Sequence, residues 1–262
     1  MAFMNEVKAI VLDLDGTLLN SKKEVSKRNQ QAIFEMHQKG IFIIFATARP
    51  PRSVQLFLPQ RLREIGAFVY YNGAFLTDNA SGYREHMGIE TMIVAEIIEY
   101  ISETHVDACY SIESEDQCYS NKPFYNETVP NVLTKPTILS LGELKKLKAS
   151  KFLLSEYPHY QNLKSQFQQK VNAICTDAGT LIQIMAKGVS KEYAVRKLCL
   201  HRNILMSNVM AFGDDWNDIE LFHVCGIPIA MENAIPELKS AACSITKTND
   251  EDGVAHILEQ LI

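Results

Sequence analysis

The chain has 262 residues, of which 47% are hydrophobic and 22% charged, and its formal net charge at pH 7 is −5. This length supports a full core with room for an inserted domain, and the acidic balance argues against nucleic-acid or anionic-membrane partners. No apolar run reaches the roughly 20 residues of a membrane helix, the amino terminus lacks a secretion-signal pattern, and six cysteines without CxxC spacing are typical of reduced thiols. We therefore expect a cytoplasmic protein without membrane or nucleic-acid partners.

Short apolar runs alternate with helical patterns in the first part of the chain. The run 8–16 predicts a buried strand, and Ser26 is a suitable N-cap for a helix that ends at Gly40. The elements predicted next are a strand over 41–49, a helix over 52–64 and a strand over 67–74. This β-α-β-α-β order indicates a parallel sheet with right-handed crossovers.

The pattern changes between about residues 78 and 186. Hairpin-like pieces and amphipathic helices follow one another there, and Asp177-Ala178-Gly179 predicts a turn between two strands. A mixed segment of this size fits a small α+β domain inserted into the first fold. Within it, Tyr119, Asn121 and Tyr125 are candidates to face a substrate.

The alternation of strands and helices returns after Lys187. The predicted elements are a helix from Lys191, a strand over 208–214, a helix that Gly226 ends, a strand over 227–231, a helix from its N-cap Asn233 to Ala242, a short strand from Ser244 and a helix over 253–262. We therefore predict an α/β protein. Residues 1–80 and 187–262 form a Rossmann-like parallel-sheet core, and residues 81–186 form an inserted α+β cap.

Two acidic side chains stand at the end of the first predicted strand. Asp13 and Asp15 lie at the carboxyl edge of the sheet, where open α/β sheets bind ligands. Strand residues i and i+2 share a side, so both carboxylates are expected in one crevice. Neighbouring carboxylates repel each other unless a cation relieves them, and Mg²⁺ favours such oxygen ligands. Gly16 permits the tight turn that follows.

A second acidic cluster follows the strand over 208–214. Helical spacing places Asp214 near Asn217 and Asp218, whereas Asp215 and Trp216 point elsewhere. Aspartate at a helix start also serves as an N-cap, but a single residue satisfies that need. We therefore expect the other polar side chains to bind a metal or a phosphoryl group.

Groups of opposite polarity lie between the two acidic clusters. Thr47, Ala48 and Arg49 offer a hydroxyl and backbone N–H groups at the end of the second strand, which suits a phosphate. Lys191 begins a helix, and its ammonium is suited to hold a transferring phosphoryl group. Each feature is common on protein surfaces, so the prediction of a phosphoryl-transfer site rests on their combination.

At this point the sequence resembles the haloacid dehalogenase (HAD) superfamily, and in particular its Cof-type phosphatases with a type IIB cap. DLDGTLL (13–19), ATAR (46–49), KGVSK (187–191) and GDDWND (213–218) match the four motifs in order, with the insertion between the second and third. The resemblance covers the whole chain. It implies a phosphatase that hydrolyses small phosphomonoesters, such as sugar phosphates, with Mg²⁺ and an aspartyl-phosphate intermediate. It also implies that the cap excludes water and reads the leaving group.

The resemblance also implies a role for each site residue. Asp13 is the nucleophile, Asp15 the general acid and base, and Lys191 the cation that neutralises charge. The remaining roles are phosphate binding by Thr47, Ala48, Lys191 and Asn217, substrate binding by Arg49, and Mg²⁺ binding by Asp13, the Asp15 carbonyl and Asp214, with Asn217 and Asp218 as neighbours that hold water.

Three positions depart from the family pattern. Ala48 replaces a usual glycine, which costs about 1 kcal/mol only if its φ is positive. Glu192 follows Lys191 where glycine is common, and Trp216 is bulkier than usual.

Other activities fit the same motifs. A sugar phosphomutase uses the same residues, and a catalytically silent ligand sensor keeps the same fold. A response-regulator receiver domain would need an aspartate after the third strand, where this chain has Asn72-Gly73.

Overall fold

The computed structural model describes residues 7–123, 135–176 and 179–261. Tyr125 and the Asp177-Ala178 part of the expected turn lie outside these residues. The backbone forms two compact units. Unit 1 comprises Met1–Glu85 and Ser190–Ile262, and unit 2 comprises His86–Val189.

The secondary-structure elements follow one another in three groups. The first group is β1 (Ala9–Asp13), α1 (Lys27–Gln38), β2 (Phe42–Ala46), α2 (Pro51–Phe57), α3 (Gln60–Ile65), β3 (Gly66–Tyr70), β4 (Phe75–Asp78) and β5 (Tyr83–His86). The second is α4 (Thr91–Thr104), β6 (Cys109–Ser114), β7 (Gln117–Ser120), β8 (Thr137–Ile138), α5 (Leu141–Leu144), β9 (Lys151–Ser155), α6 (Tyr160–Phe167), β10 (Val171–Thr176) and β11 (Leu181–Ala186). The third is α7 (Lys191–His201), β12 (Val209–Gly213), α8 (Ile219–Phe222), β13 (Ile227–Ala230), α9 (Pro236–Ala241), β14 (Ser244–Ile245) and α10 (Gly253–Leu258).

The sheet of unit 1 has the strand order β14-β13-β12-β1-β2-β3-β4-β5. The six strands from β14 to β3 are parallel, and β4 pairs antiparallel with β3. All five residues of β1 are buried, which agrees with its continuous apolar pattern because both faces of a parallel sheet are covered. The predicted α/β fold with a parallel sheet is confirmed.

The position of β1 determines where a ligand binds. β1 lies between β2, the next strand of the chain, and β12, which follows about 200 residues after β1. The connections after these strands therefore run toward opposite sides of β1. A crevice is expected between them at the carboxyl ends of the three strands. Such a switch point is where open α/β sheets bind ligands.

Helix α1 has the predicted start and end. The Ser26 hydroxyl accepts the Asn29 N–H at 3.0 Å, and Gly40 has a φ of +81° just after the helix. The apolar side chains of Ala32, Ile33 and Met36 are buried, as their helical spacing predicts.

Two predicted helices differ in the structure. The helix over 52–64 is broken into α2 and α3 at Pro59, because proline lacks an N–H and restricts the residue before it. The prediction of Asn233 as an N-cap is wrong: α9 begins later, at Pro236, a residue that suits the first turn of a helix. Asn233 instead donates its amide to the Gly16 carbonyl at 2.7 Å and accepts the Asn249 N–H at 3.1 Å.

Unit 2 is built on its own sheet with the order β10-β11-β9-β6-β7-β8. Its pairs are antiparallel except β7 with β8, and side chains of α4 and α6 belong to its apolar core. Of the side chains expected to face a substrate, Tyr119 packs against this core. The Asn121 amide accepts the Tyr110 N–H at 3.0 Å and donates to the Ala108 carbonyl at 2.9 Å. Asn121 therefore braces the start of β6.

Across the described ranges, every helix is too short or too polar to traverse a lipid bilayer.

A tight turn after β3 packs against the start of α7. Tyr71, Asn72 and Gly73 have φ values of 54°, 56° and 112°, and a Cβ on Gly73 would lie 2.2 Å from the Ser190 carbonyl oxygen. The Ser190 hydroxyl in turn caps α7 by accepting the Tyr193 N–H at 3.1 Å. The glycine is therefore required both by its φ and by the close backbone approach.

We expect Gly73→Ala to destabilise the protein more than Gly82→Ala. Gly82 also has a positive φ, +75°, but among the described residues a methyl group there meets no atom within 4 Å. Both changes should cost about 1 kcal/mol in backbone strain, and Gly73→Ala about 1–3 kcal/mol more through overpacking. Urea unfolding of both variants measures the difference, and equal losses would show that the contact with Ser190 relaxes freely.

Candidate active site

Three strand ends of unit 1 supply the polar residues of the site. Asp13 ends β1, Thr47 directly follows β2, and Asp214 directly follows β12. These strands are neighbours, so their carboxyl ends meet at the switch point of the sheet. The predicted site residues from distant parts of the chain are thereby brought to one edge.

Three carboxylates form a cluster at this edge. One oxygen from each of Asp13, Asp214 and Asp218 lies within 4.8 Å of the others. The Thr17 hydroxyl donates to Asp214 at 2.8 Å, and Asp218 accepts the Asp214 N–H at 3.2 Å. Gly16 makes the approach possible, because a Cβ there would lie 2.1 Å from an Asp214 oxygen.

Lys191 brings an ammonium group to this cluster. Its Nζ donates to Asp13 Oδ1 at 2.6 Å and to Asp218 Oδ1 at 2.7 Å, and its side chain is completely buried. Burial disfavours the ammonium, but the charges of Asp13 and Asp218 outweigh burial and raise the pKa of Lys191. Lys191 therefore stays charged and neutralises part of the carboxylate charge.

The remaining negative charge fits a divalent cation. Burial and the charges of Asp218 and Asp214 raise the pKa of Asp13 well above its usual value, although Lys191 opposes them. Burial and Asp218 also raise the pKa of Asp214 to about 7. One ammonium thus leaves the three carboxylates under-compensated, and oxygen ligands at this spacing suit a hard cation.

Asp15 is not one of the three clustered carboxylates. The strand-spacing argument for this pair does not apply, because β1 ends at Asp13 and Asp15 belongs to the turn that follows. That both carboxylates face one crevice stays a prediction. The Asp15 carboxylate accepts two hydrogen bonds from Arg49, at 2.5 and 2.7 Å, and one from Lys23 at 2.7 Å. Burial alone would raise the pKa of Asp15, but Arg49 and Lys23 lower it below its usual value.

The segment after β2 is held by backbone contacts. Thr47 is buried, its N–H donates to the Val69 carbonyl at 2.8 Å, and its hydroxyl accepts the Arg49 N–H at 3.1 Å. Ala48 does not have a positive φ, so the strain cost considered for alanine at this position does not arise. The Arg49 guanidinium lies 4.5 Å from the centre of the Phe57 ring and pairs with Asp15. Its predicted contact with a substrate stays a prediction.

Asn217 contacts a residue that the sequence did not single out as functional. Its amide donates to Asn72 Oδ1 at 3.0 Å, and the Asn72 N–H donates to the Thr47 carbonyl at 3.0 Å. Asn72 therefore joins the turn after β3 to both the second and the fourth motif. The signal for it was the Asn-Gly pair, since asparagine tolerates the left-handed backbone found here.

The environment of three further positions in or beside the motifs is also defined. Asp215 caps a short helix, Trp216–Asp218, that precedes α8. It therefore fulfils the N-cap role that one aspartate was expected to serve. Glu192 pairs with Arg196 at 2.6 Å and does not take Lys191 from its carboxylates. Trp216 is 48% exposed.

A protein-family model described as haloacid dehalogenase-like hydrolase matches residues 10–258. The chain belongs to this family. Hydrolases of this family use a divalent metal, with which the cluster of Asp13, Asp214 and Asp218 agrees.

Individual relatives agree with the family match. The chain is 27% identical to 5-amino-6-(5-phospho-D-ribitylamino)uracil phosphatase YcsE of Bacillus subtilis (strain 168) over 98% of this chain and 96% of the relative. It is similar to the structure of TM0651 from Thermotoga maritima, with a TM-score of 0.82, 27% identity and 97% of both chains covered. It shares its fold with the HAD subclass IIB sugar phosphatase BT4131, with a TM-score of 0.83, 20% identity and coverage of 98% and 100%. The predicted family, fold and phosphatase class are confirmed.

We expect Mg²⁺ to stabilise the protein more at about pH 8 than at about pH 6. Because the pKa values of Asp13 and Asp214 are raised, the folded protein without metal holds protons that the unfolded chain releases near pH 4. Its stability therefore falls as the pH rises through about 7, and a bound cation offsets this loss.

Melting temperatures with and without Mg²⁺ at both pH values measure this effect. Asp214→Asn removes one carboxylate of the cluster and should shrink the Mg²⁺ effect at the higher pH. Asp215→Asn, which keeps a capping side chain, should leave it unchanged. An Mg²⁺ effect that is the same at both pH values would contradict the assignment of these carboxylates as ligands.

Proposed function

We propose that the chain is a magnesium-dependent phosphatase that hydrolyses small phosphomonoesters through an aspartyl-phosphate at Asp13. The buried carboxylate of Asp13, held at 2.6 Å by the buried ammonium of Lys191 at the switch point of the sheet, is the observation that carries this proposal. Lys191 fixes one carboxylate oxygen and lowers the repulsion that a phosphate dianion meets on approach.

The reaction proceeds in two displacements at phosphorus. A carboxylate oxygen of Asp13 forms a bond to phosphorus while the bond to the leaving oxygen breaks, and Asp15 gives that oxygen a proton. Water then attacks the aspartyl-phosphate, Asp15 takes a proton from this water, and the Asp13 carboxylate is released with inorganic phosphate. Asp15 enters the first displacement protonated, is ionised between the two displacements and recovers its proton from the attacking water. Arg49 and Lys23 stabilise the ionised form that accepts this proton.

The remaining polar groups hold the metal and the phosphoryl group. Asp13, Asp214 and the backbone carbonyl of Asp15 would hold Mg²⁺, while Asp218 and Asn217 hold water or tune the site. Bound Mg²⁺ supplies positive charge that stabilises the transferring phosphoryl group. The phosphoryl oxygens would be held by the Thr47 hydroxyl, the backbone N–H of Ala48, the Lys191 ammonium and the Asn217 amide. Arg49 would reach the rest of the substrate.

A panel of phosphorylated metabolites tests the substrate class. It should include sugar phosphates and 5-amino-6-(5-phospho-D-ribitylamino)uracil, after which the relative YcsE is named. Release of inorganic phosphate that depends on Mg²⁺ and stops with EDTA would support the proposal. An isomerised sugar phosphate without phosphate release would identify a phosphomutase, and no turnover of any compound, including p-nitrophenyl phosphate, would leave a ligand-sensing protein.

We expect Asp13→Asn to lower turnover at least about a thousandfold, which corresponds to about 4 kcal/mol of transition-state stabilisation. The amide is a poor nucleophile, yet it keeps the shape and an oxygen for the Lys191 hydrogen bond. The variant should still fold, because Lys191 keeps Asp218 as an ion partner at 2.7 Å.

Asp215→Asn is the matched control for this change, since Asp215 is not one of the three clustered carboxylates and asparagine keeps an oxygen that can cap the helix. Phosphate release by the control should stay within about threefold of the wild type, as is usual for a surface cap that is preserved. Near-wild-type activity of Asp13→Asn would refute Asp13 as the nucleophile.

A further inference from the structure

We propose that Lys23 is a positioning residue for Asp15: it fixes the Oδ1 atom of the carboxylate and leaves Oδ2 to carry the transferred proton. This inference rests on the proposed function, in which Asp15 gives a proton to the leaving oxygen. Lys23 lies outside all four motifs, eight residues beyond Asp15.

The contacts distinguish the two oxygens of Asp15. Arg49 donates from Nε to Oδ2 at 2.5 Å and from Nη2 to Oδ1 at 2.7 Å, so its fork treats the two oxygens alike. Lys23 adds a third hydrogen bond, from Nζ to Oδ1 at 2.7 Å. Each carboxylate oxygen has about two acceptor positions. Within the described residues, Oδ1 therefore has both positions filled by cations, whereas Oδ2 keeps one.

The turn that carries Lys23 is well defined by hydrogen bonds. The Asn20 side-chain oxygen accepts the N–H groups of Lys22 and Glu24 at 3.0 and 2.9 Å, and the Lys23 N–H donates to the Asn20 carbonyl at 2.9 Å. The Ser21 N–H donates to Asp250 at 2.7 Å, which ties the turn to the segment before α10.

Lys23 itself has a left-handed backbone, with a φ of +61°. This conformation is unfavourable for a lysine, and such strain persists only where surrounding contacts impose it. The turn thus delivers the ammonium to Asp15 from a fixed backbone position. An ordinary flexible surface lysine would lack this restraint.

The pair is too exposed to matter much for stability. The side chains of Lys23 and Asp15 are 32% and 37% exposed, and ion pairs of this kind contribute little to folding. Loss of the ammonium should therefore leave the melting temperature nearly unchanged. Its effect should appear in the proton transfer, because among the residues that the structure describes Lys23 alone donates to one oxygen of Asp15 and not to the other.

Proton transfer matters to different degrees for different leaving groups. In the first displacement the electron pair of the breaking P–O bond goes to the leaving oxygen. An alkoxide needs the Asp15 proton at that moment, whereas p-nitrophenolate is a stable anion without it. A change that misplaces Asp15 should therefore slow alkyl phosphates selectively. A change that damages phosphoryl binding should slow both substrates alike.

The experiment compares kcat/KM for p-nitrophenyl phosphate with kcat/KM for the best alkyl phosphate of the metabolite panel. We expect Lys23→Met to lower the alkyl value about 10- to 100-fold, a typical share of general-acid catalysis, and the aryl value less than about threefold. Lys23→Arg, which keeps a cationic donor, should restore most of the alkyl activity. Lys22→Met, a change of the exposed lysine beside it, should leave both values unchanged.

The ratio of the alkyl to the aryl kcat/KM does not depend on the folded fraction. It therefore tests the role of Lys23 even if a variant is less stable. An equal loss for both substrates, or no loss for either, would overturn the role of Lys23 and leave the proposed phosphatase standing. A wild type that releases no phosphate from either substrate would overturn the proposed function and this inference with it.

Discussion

The contact of the Lys191 ammonium with Asp13 and Asp218 is the interaction on which the rest of the site depends. Two carboxylates and an ammonium are buried together, and removing one partner of a buried ion pair leaves a charge without compensation. Lys191 is placed by the start of α7, which Ser190 caps and which the turn at Gly73 contacts closely. The backbone that carries Lys191 is therefore fixed by the cap of α7 and by its close contact with the turn at Gly73.

The two aspartates of the first motif are held in opposite electrostatic environments. Asp13 lies among other carboxylates in a buried place, and its pKa is raised. Asp15 lies between two cations in the following turn, and its pKa is lowered. Divergent environments of neighbouring acids are a common sign of divided labour in catalysis. This difference agrees with the proposed mechanism, in which Asp13 binds the metal and phosphorus and Asp15 transfers protons.

The sequence predicted those parts of the structure that depend on local patterns. The buried β1, the cap of α1 at Ser26 and the start of α7 at Lys191 follow from apolar periodicity and capping chemistry, and the order of the motifs led to the family. The same local patterns predicted that Asp13 and Asp214 lie at neighbouring strand ends, because parallel strands share a carboxyl edge.

The contacts that the sequence did not predict are those between distant turns. Asn233 was predicted to cap a helix, but α9 begins at Pro236. The Asn233 amide instead donates to the Gly16 carbonyl. Lys23 gave no periodic or motif signal, and Asn72 gave only that of an Asn-Gly pair, since the roles of both depend on left-handed backbones within turns. Tertiary contacts of this kind override local propensity, and one sequence without a structure does not reveal them.

The central position of β1 in the sheet has a consequence for folding during synthesis on the ribosome. β1 leaves the ribosome first, but its partner β12 and the Asp214 cluster are made only after the whole of unit 2. Unit 2 is one continuous stretch of chain with its own core, so it is complete while unit 1 still lacks three of the eight strands of its sheet. During that interval β1 has an open edge and an unpaired acidic end. This topology therefore requires that the open edge of β1 be protected in the nascent chain until β12 is made.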